Sequence, residues 1–155
     1  MFVVTGGGNG IGREVVLGLL RRGAHVAAVD LSQERLAETA APYGGAPEAI
    51  SLHTVNVTDA EAVASLPAEV IERHGQVDGV LNVAGIIQPF VHFEELAPAQ
   101  IERVLSVNSW GVVNMVRAFL PELTARPRAA LLNVSSMGAF IPCRGRRSTV
   151  PRRLP

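Results

Sequence analysis

The chain of 155 residues has no lysine, a single tyrosine (Tyr43) and a single cysteine (Cys143). One cysteine excludes an internal disulfide framework and points to a reducing, cytoplasmic setting. No apolar run approaches the roughly 20 residues that a membrane span requires, and no basic segment precedes a cleavable hydrophobic stretch. No membrane partner is therefore expected. Glycine (15) and proline (10) are too few for a collagen-like or disordered chain. What remains is ordinary globular material. The apolar fraction of 48% can fill one core, and a chain of this size buries roughly 68–70% of its unfolded surface.

The net charge of zero hides an asymmetry. Residues 1–143 hold nine arginines against fourteen acids, a balance of −5, whereas residues 144–155 hold five arginines and no acid. A net acidic body argues against a nucleic-acid footprint, which would be basic on one face. The chain thus divides into a domain over 1–143 and an irregular basic tail over 144–155.

Hydrophobic spacing predicts alternating strands and helices. Phe2–Thr5 reads as a strand stopped by glycines, and Ile11–Arg22 as a helix with apolar residues at four-residue steps. His25–Val29, closed by Asp30, is a second strand; Ser32 caps a helix near Glu34–Ala40. A loop over 41–48 leads to a third strand, Ile50–Val55. Thr58 and Glu61 have capping-box spacing, opening a helix to His74 that Pro67 threatens to divide. Val77–Val83 is a fourth strand, Ala99–Leu123 the longest helix, and Ala129–Val134 a fifth strand. This order implies an α/β fold with a parallel sheet covered on both faces.

The first strand and first helix enclose Thr5-Gly6-Gly7-Gly8-Asn9-Gly10-Ile11-Gly12. Glycines at 6, 10 and 12 let the backbone turn and approach a ligand, and the helix then aims its free amides at an anion such as pyrophosphate. In this strand-turn-helix setting the pattern points to a dinucleotide. Asp30 lies eighteen residues beyond Gly12 at a strand end. A carboxylate there accepts from both hydroxyls of an adenosine ribose and repels a 2′-phosphate, favouring NAD over NADP.

These motifs resemble the short-chain dehydrogenase/reductase family of classical type, over residues 2 to about 143. The resemblance implies a Rossmann-type, doubly wound, three-layer α/β/α domain, here with about five of the family's usual seven strands. It implies a cofactor site of Thr5, Gly6, Gly8, Asn9, Gly10, Ile11, Gly12, Asp30, Asn56, Val57, Asn82, Ala84 and Gly85. Asn56-Val57 is similar to the segment that touches adenine, with Asn where the family usually has Asp. An Asn carbonyl still accepts from the adenine amino group. Asn82-Val83-Ala84-Gly85 resembles the family's Asn-Asn-Ala-Gly, its Ala-Gly backbone lying against a cofactor ribose and Asn82 tying neighbouring strands. Asn108 and Ser136 match the catalytic asparagine and serine.

The implied activity is hydride transfer between NAD and a secondary alcohol or ketone. The residues themselves leave other roles open. Asn108 falls on an apolar stripe with Ile101, Val104, Leu105, Val112, Val116 and Leu120, so it is either a buried structural amide or part of a proton relay, or both. Ser136 is either a loop cap or a hydrogen-bond partner of the substrate oxygen. Trp110 and Met115 lie off that stripe and face either a partner helix, giving a homo-oligomer through residues 99–123, or the chain's own neighbouring helix.

The resemblance breaks at the proton donor. The family uses a tyrosine thirteen residues past the serine and a lysine four further on; here those positions hold Thr149 and Arg153. A phenol near its ordinary pKa of about 10 needs a neighbouring cation to act at neutral pH, and a threonine does not titrate there at all. Codons for Gly145–Pro155 can be chosen so that a one-base shift reads Pro-Thr-Val-Tyr-Gly-Ala-Ser-Lys-Ala-Ala. The expectation is therefore a frameshifted or truncated member whose tail is out of frame, poorly stable and inactive, able at most to bind dinucleotide or pair with an intact paralogue. The four histidines lack metal-ligand spacing, so no metal is expected. Cys143 has no identifiable base and reads as a small apolar side chain.

Overall fold

The computed structural model describes residues 1–137; Cys143, Thr149, Arg153 and the basic tail lie outside them. The elements run β1 (Phe2–Thr5), α1 (Gly10–Leu20), β2 (Val26–Asp30), α2 (Gln33–Ala40), β3 (Ile50–Thr54), α3 (Ala60–His74), β4 (Gly79–Asn82), α4 (Pro98–Leu105), α5 (Gly111–Thr124) and β5 (Ala130–Asn133). All five strands are parallel, in the order β3-β2-β1-β4-β5.

Both faces of the central strands are apolar, and alternate residues serve opposite layers. Val3, Ala27, Val29 and Val80 pack with Val63, Leu66 and Val70 of α3 and Met115, Phe119 and Leu123 of α5. Val4, Val26 and Ala28 face the other way, onto Val16, Leu20 and Leu36 of α1 and α2. The result is the expected three-layer α/β/α sandwich. Because β1 is followed on one side by β2 and β3 and on the other by β4 and β5, the strand order reverses between β1 and β4. That switch point opens a crevice at the strands' carboxyl ends. Among the described residues no helix is long and apolar enough to cross a membrane.

Three local expectations are corrected. Asp59, not Thr58, caps α3: its carboxylate accepts from the amides of Glu61 at 3.1 Å and Ala62 at 3.0 Å, while Thr58 turns back to Asn56. A charged acceptor at the N-terminus outcompetes a hydroxyl. Pro67 does not divide α3; it is buried in the core side of one continuous helix that ends at Gly75, where φ is 81°.

The long helix is not regular. Ser106–Trp110 forms a π turn between α4 and α5, and the extra residue rotates everything after it. The buried positions of α5 are therefore Gly111, Met115, Phe119 and Leu123, one step away from the expected stripe. Leu105 and Leu120 are instead 53% and 47% exposed. Met115 sits fully buried in the chain's own core, and Trp110 faces outward at 62% exposure.

Candidate functional site

The crevice is built by main chain more than by side chains. β1 ends at Thr5, whose buried hydroxyl accepts from the amides of Val83 at 3.0 Å and Ala84 at 3.1 Å. Thr5 therefore spends its oxygen joining the ends of β1 and β4. Gly6 then turns with φ of 70°, and a Cβ there would press on Ala84. Gly12 lies so close to Gly6 that a side chain at 12 would collide with the Gly6 carbonyl. The loop thus folds tightly back on its own helix.

Asn9 caps α1, its Oδ1 accepting from the Gly10 amide at 2.8 Å. Above Gly10 the space is open, Ile11 is 67% exposed, and no acidic residue stands in the first turn. An exposed helix N-terminus free of negative charge suits an anion. These residues fit the pyrophosphate of a dinucleotide. A groove of about 840 Å³ continues along α1 from Gly10 and Ile11 to Leu19 and Arg22; its lining is mostly apolar and it shares only its first end with the phosphate loop.

Asp30 closes β2 beside the loop. One carboxylate oxygen accepts from the Gly8 amide at 3.0 Å and the other from the Ser32 amide at 3.1 Å. Two main-chain donors fix its orientation and leave further lone pairs toward the crevice. The sequence placed no arginine next to Asp30. The fold brings two into the neighbourhood: Arg13 Nη2 donates to the Gly8 carbonyl at 2.7 Å, and the Arg35 side chain starts against Gly8. A helical step in α1 and another in α2 make this approach, which linear spacing does not reveal.

Beyond β3, Asn56 forms a tight turn. Its Oδ1 accepts from both the amide and the hydroxyl of Thr58, at 3.1 and 2.9 Å. The atom expected to meet adenine is already engaged within the loop. Val57 follows, buried, with its carbonyl held by Asn114 Nδ2 at 3.0 Å. Asn114 was not singled out from sequence, because an asparagine in an apolar helix announces a partner without naming it.

Asn82 ties β4 to β5, as expected: its Nδ2 donates to Asn133 Oδ1 at 2.9 Å, and its own buried Oδ1 has no hydrogen-bond partner among the described residues. Ala84 and Gly85 line the crevice beside Thr5 and Asn108. Asn108 occupies the π turn, faces solvent and grips the Ile86 peptide with both ends of its amide. The expectation of a buried amide is corrected, since the π turn leaves Asn108 exposed; its bonds to a backbone peptide are as a structural amide would make. Ser136 is exposed just past β5, on the carboxyl side of the sheet with the other site residues.

Comparison with known proteins places this geometry. The family model for short chain dehydrogenases matches residues 1–147. The chain is 40% identical over 140 residues to "Probable oxidoreductase EphD" of Mycobacterium tuberculosis, spanning 90% of this chain and 24% of that protein. It is 31% identical over 140 residues to the 2,3-dihydro-2,3-dihydroxybenzoate dehydrogenase of Bacillus subtilis, 90% of this chain and 53% of the relative. The chain thus spans between a quarter and about half of these relatives. The crystal structure of a short-chain dehydrogenase/reductase from Brucella melitensis superposes with a TM-score of 0.85 at 28% identity, over 95% of this chain and 62% of that one. A match to the family model across nearly the whole chain, on a fold shared with its solved members, means that the chain belongs to the short-chain dehydrogenase family.

Proposed function

We propose that this chain binds NAD and forms the cofactor-holding part of an oxidoreductase that moves hydride between the nicotinamide and a secondary alcohol or ketone. The observation that carries the reading is the pairing of an open α1 N-terminus with a strand-end carboxylate, Asp30, oriented by two backbone amides. The α1 amides and the Gly6–Gly12 backbone hold the pyrophosphate. Asp30 accepts from the ribose hydroxyls, and the Asn56–Val57 loop borders the adenine. Ala84 and Gly85 flank the second ribose. Ser136 hydrogen-bonds the substrate oxygen. The nicotinamide, when bound, supplies or accepts the hydride.

A second reading is favoured by the residue count. Proton transfer needs an acid near the developing alkoxide. The chain has no lysine, and its one tyrosine, Tyr43, packs against the core under β2 and α1. In this reading the chain binds dinucleotide without turning it over, because the Tyr-x-x-x-Lys segment was lost to a change of reading frame near residues 143–145, leaving 144–155 as an out-of-frame tail. The cofactor choice also has two sides. Asp30 opposes a 2′-phosphate, while Arg35, whose Cβ lies against Gly8, brings a cation to the same region that would favour one.

Titrating the purified chain with NADH and with NADPH, then assaying NAD reduction with a panel of secondary alcohols, tests all of this. The expected result is saturable NADH binding, weaker NADPH binding and no turnover. No fluorescence change up to millimolar NADH defeats the binding reading. Turnover defeats the inactive one.

A further inference from the structure

We infer that Asn114 is a positioning residue for the adenine half of the dinucleotide site, acting through the Val57 carbonyl. This rests on the reading above that the loop after β3 borders adenine. Asn114 Nδ2 donates to Val57 O at 3.0 Å, a contact between residues 57 apart in sequence. One turn earlier, Gly111 meets the same residue from its other side: a Cβ there would stand 2.7 Å from Val57 Cγ2. So α5 grips Val57 twice, once by its main chain and once by its side chain.

The remaining bonds of this loop explain why that grip matters. Asn56 and Thr58 bond to each other, and the Asp59 amide donates to the Asn56 carbonyl at 2.9 Å. These contacts fix the turn's shape, and through Asp59 its far end is anchored to the start of α3. The Val55 amide anchors the start of the loop to the Asp30 carbonyl at 3.0 Å. With both ends so anchored, α5 holds the middle of the turn at Val57, between Asn56 and Thr58. The same helical unit holds the loop after β4 through Asn108 and Ile86. Two asparagines, Asn108 within the π turn and Asn114 just after it, thereby fix the two crevice loops relative to each other. A carbonyl that loses its donor, and a loop that loses its tether, would let the adenine face drift by more than a hydrogen bond tolerates.

The test uses the full chain and three probes: NAD, AMP and inorganic pyrophosphate, each titrated by calorimetry. Asn114→Leu removes the donor at constant size, and Asn114→Asp sets a carboxylate against the Val57 carbonyl. Both should weaken AMP and NAD by the same factor, roughly fivefold or more for one lost hydrogen bond, and leave pyrophosphate binding unchanged. Gly111→Ala reaches the same loop from the other contact and should do likewise, which keeps the test available if Asn114→Leu fails to fold. Unchanged AMP affinity overturns the inference, as does an equal loss for pyrophosphate, which would mark general loosening. A wild-type chain that binds neither NAD nor AMP removes the functional reading itself, an outcome separate from variants that bind as well as wild type.

Discussion

The side-chain amide of Asn108 lies against the peptide of Ile86, donating to its carbonyl and accepting from its amide, each at 2.9 Å. The pair forms across the π turn, which turns Asn108 out of the helix and toward the end of β4. Asparagine suits the position because it carries a donor and an acceptor at the spacing of a peptide.

Removing this pair should loosen the loop after β4 more than the fold. Asn108→Ala is expected to cost about 0.5–1.5 kcal/mol, since the lost groups can turn to water. Asn108→Asp should do similar harm, keeping the bond from the Ile86 amide while setting a carboxylate against the carbonyl. Hydrogen exchange of the Ile86 amide should accelerate in Asn108→Ala. Wild-type protection there would show that the pair is not what holds the loop.

Asp30 is expected to set cofactor affinity and choice together. Asp30→Ala removes the acceptor for Gly8 and Ser32 as well as for the ribose, and should weaken NADH about tenfold, a loss of roughly 1–2 kcal/mol. The same change should narrow or reverse the gap to NADPH, because a 2′-phosphate then meets no carboxylate. Parallel titrations with both cofactors measure the ratio; an unchanged ratio would separate Asp30 from the choice.

A cluster of imidazoles makes stability depend on pH. Ser51 Oγ lies 2.8 Å from Nε2 of both His53 and His74, and His53 Nδ1 is 3.4 Å from Glu69. His74 Nδ1 is buried with no hydrogen-bond partner among the described residues, and the His25 ring packs edge-on at 5.7 Å. Burial, then the charges of His25, Arg73, His53 and the N-terminus, lower the His74 pKa from 6.5 to about 4. The unfolded chain therefore binds more protons between those values. This contribution to stability is complete above pH 6.5 and is lost as pH falls toward 4. Thermal melts across that range should slope downward on acidification, and less steeply in His74→Gln. Equal slopes in the two proteins would contradict the assignment.

Phe119 tests the rotated stripe of α5. It is fully buried between α3 and the sheet, so Phe119→Ala should cost about 3–5 kcal/mol, whereas Leu120→Ala, one residue on and half exposed, should cost far less. Denaturant midpoints compare them directly. The reverse ranking would restore the regular-helix stripe.

The nucleotide sequence of the gene decides the missing proton donor. A shifted frame over codons 144–155 should encode Tyr-x-x-x-Lys, with the tyrosine about thirteen residues past Ser136. Reading all three frames through that stretch is sufficient, and their lacking the motif would leave the frameshift without support.

The sequence by itself determined the alternation of elements, the glycine loop and Asp30, because these depend on local chemistry: strand-forming runs, backbone freedom at Gly6 and Gly12, and a carboxylate at a strand end. The strand tie of Asn82 was legible only through the family resemblance of Asn82-Val83-Ala84-Gly85. The π turn was not legible, since a single extra residue per turn leaves no mark on composition, yet it shifted the buried face of α5 and brought Asn108 out to Ile86. Nor were the approach of Arg35 to Gly8, the tie from Asn114 to Val57, or the sharing of Ser51 by two histidines. Each depends on at least one contact between residues distant in the chain, His74 to Ser51 in the last case, and such meetings depend on how the helices pack onto the sheet, which only the tertiary structure decides.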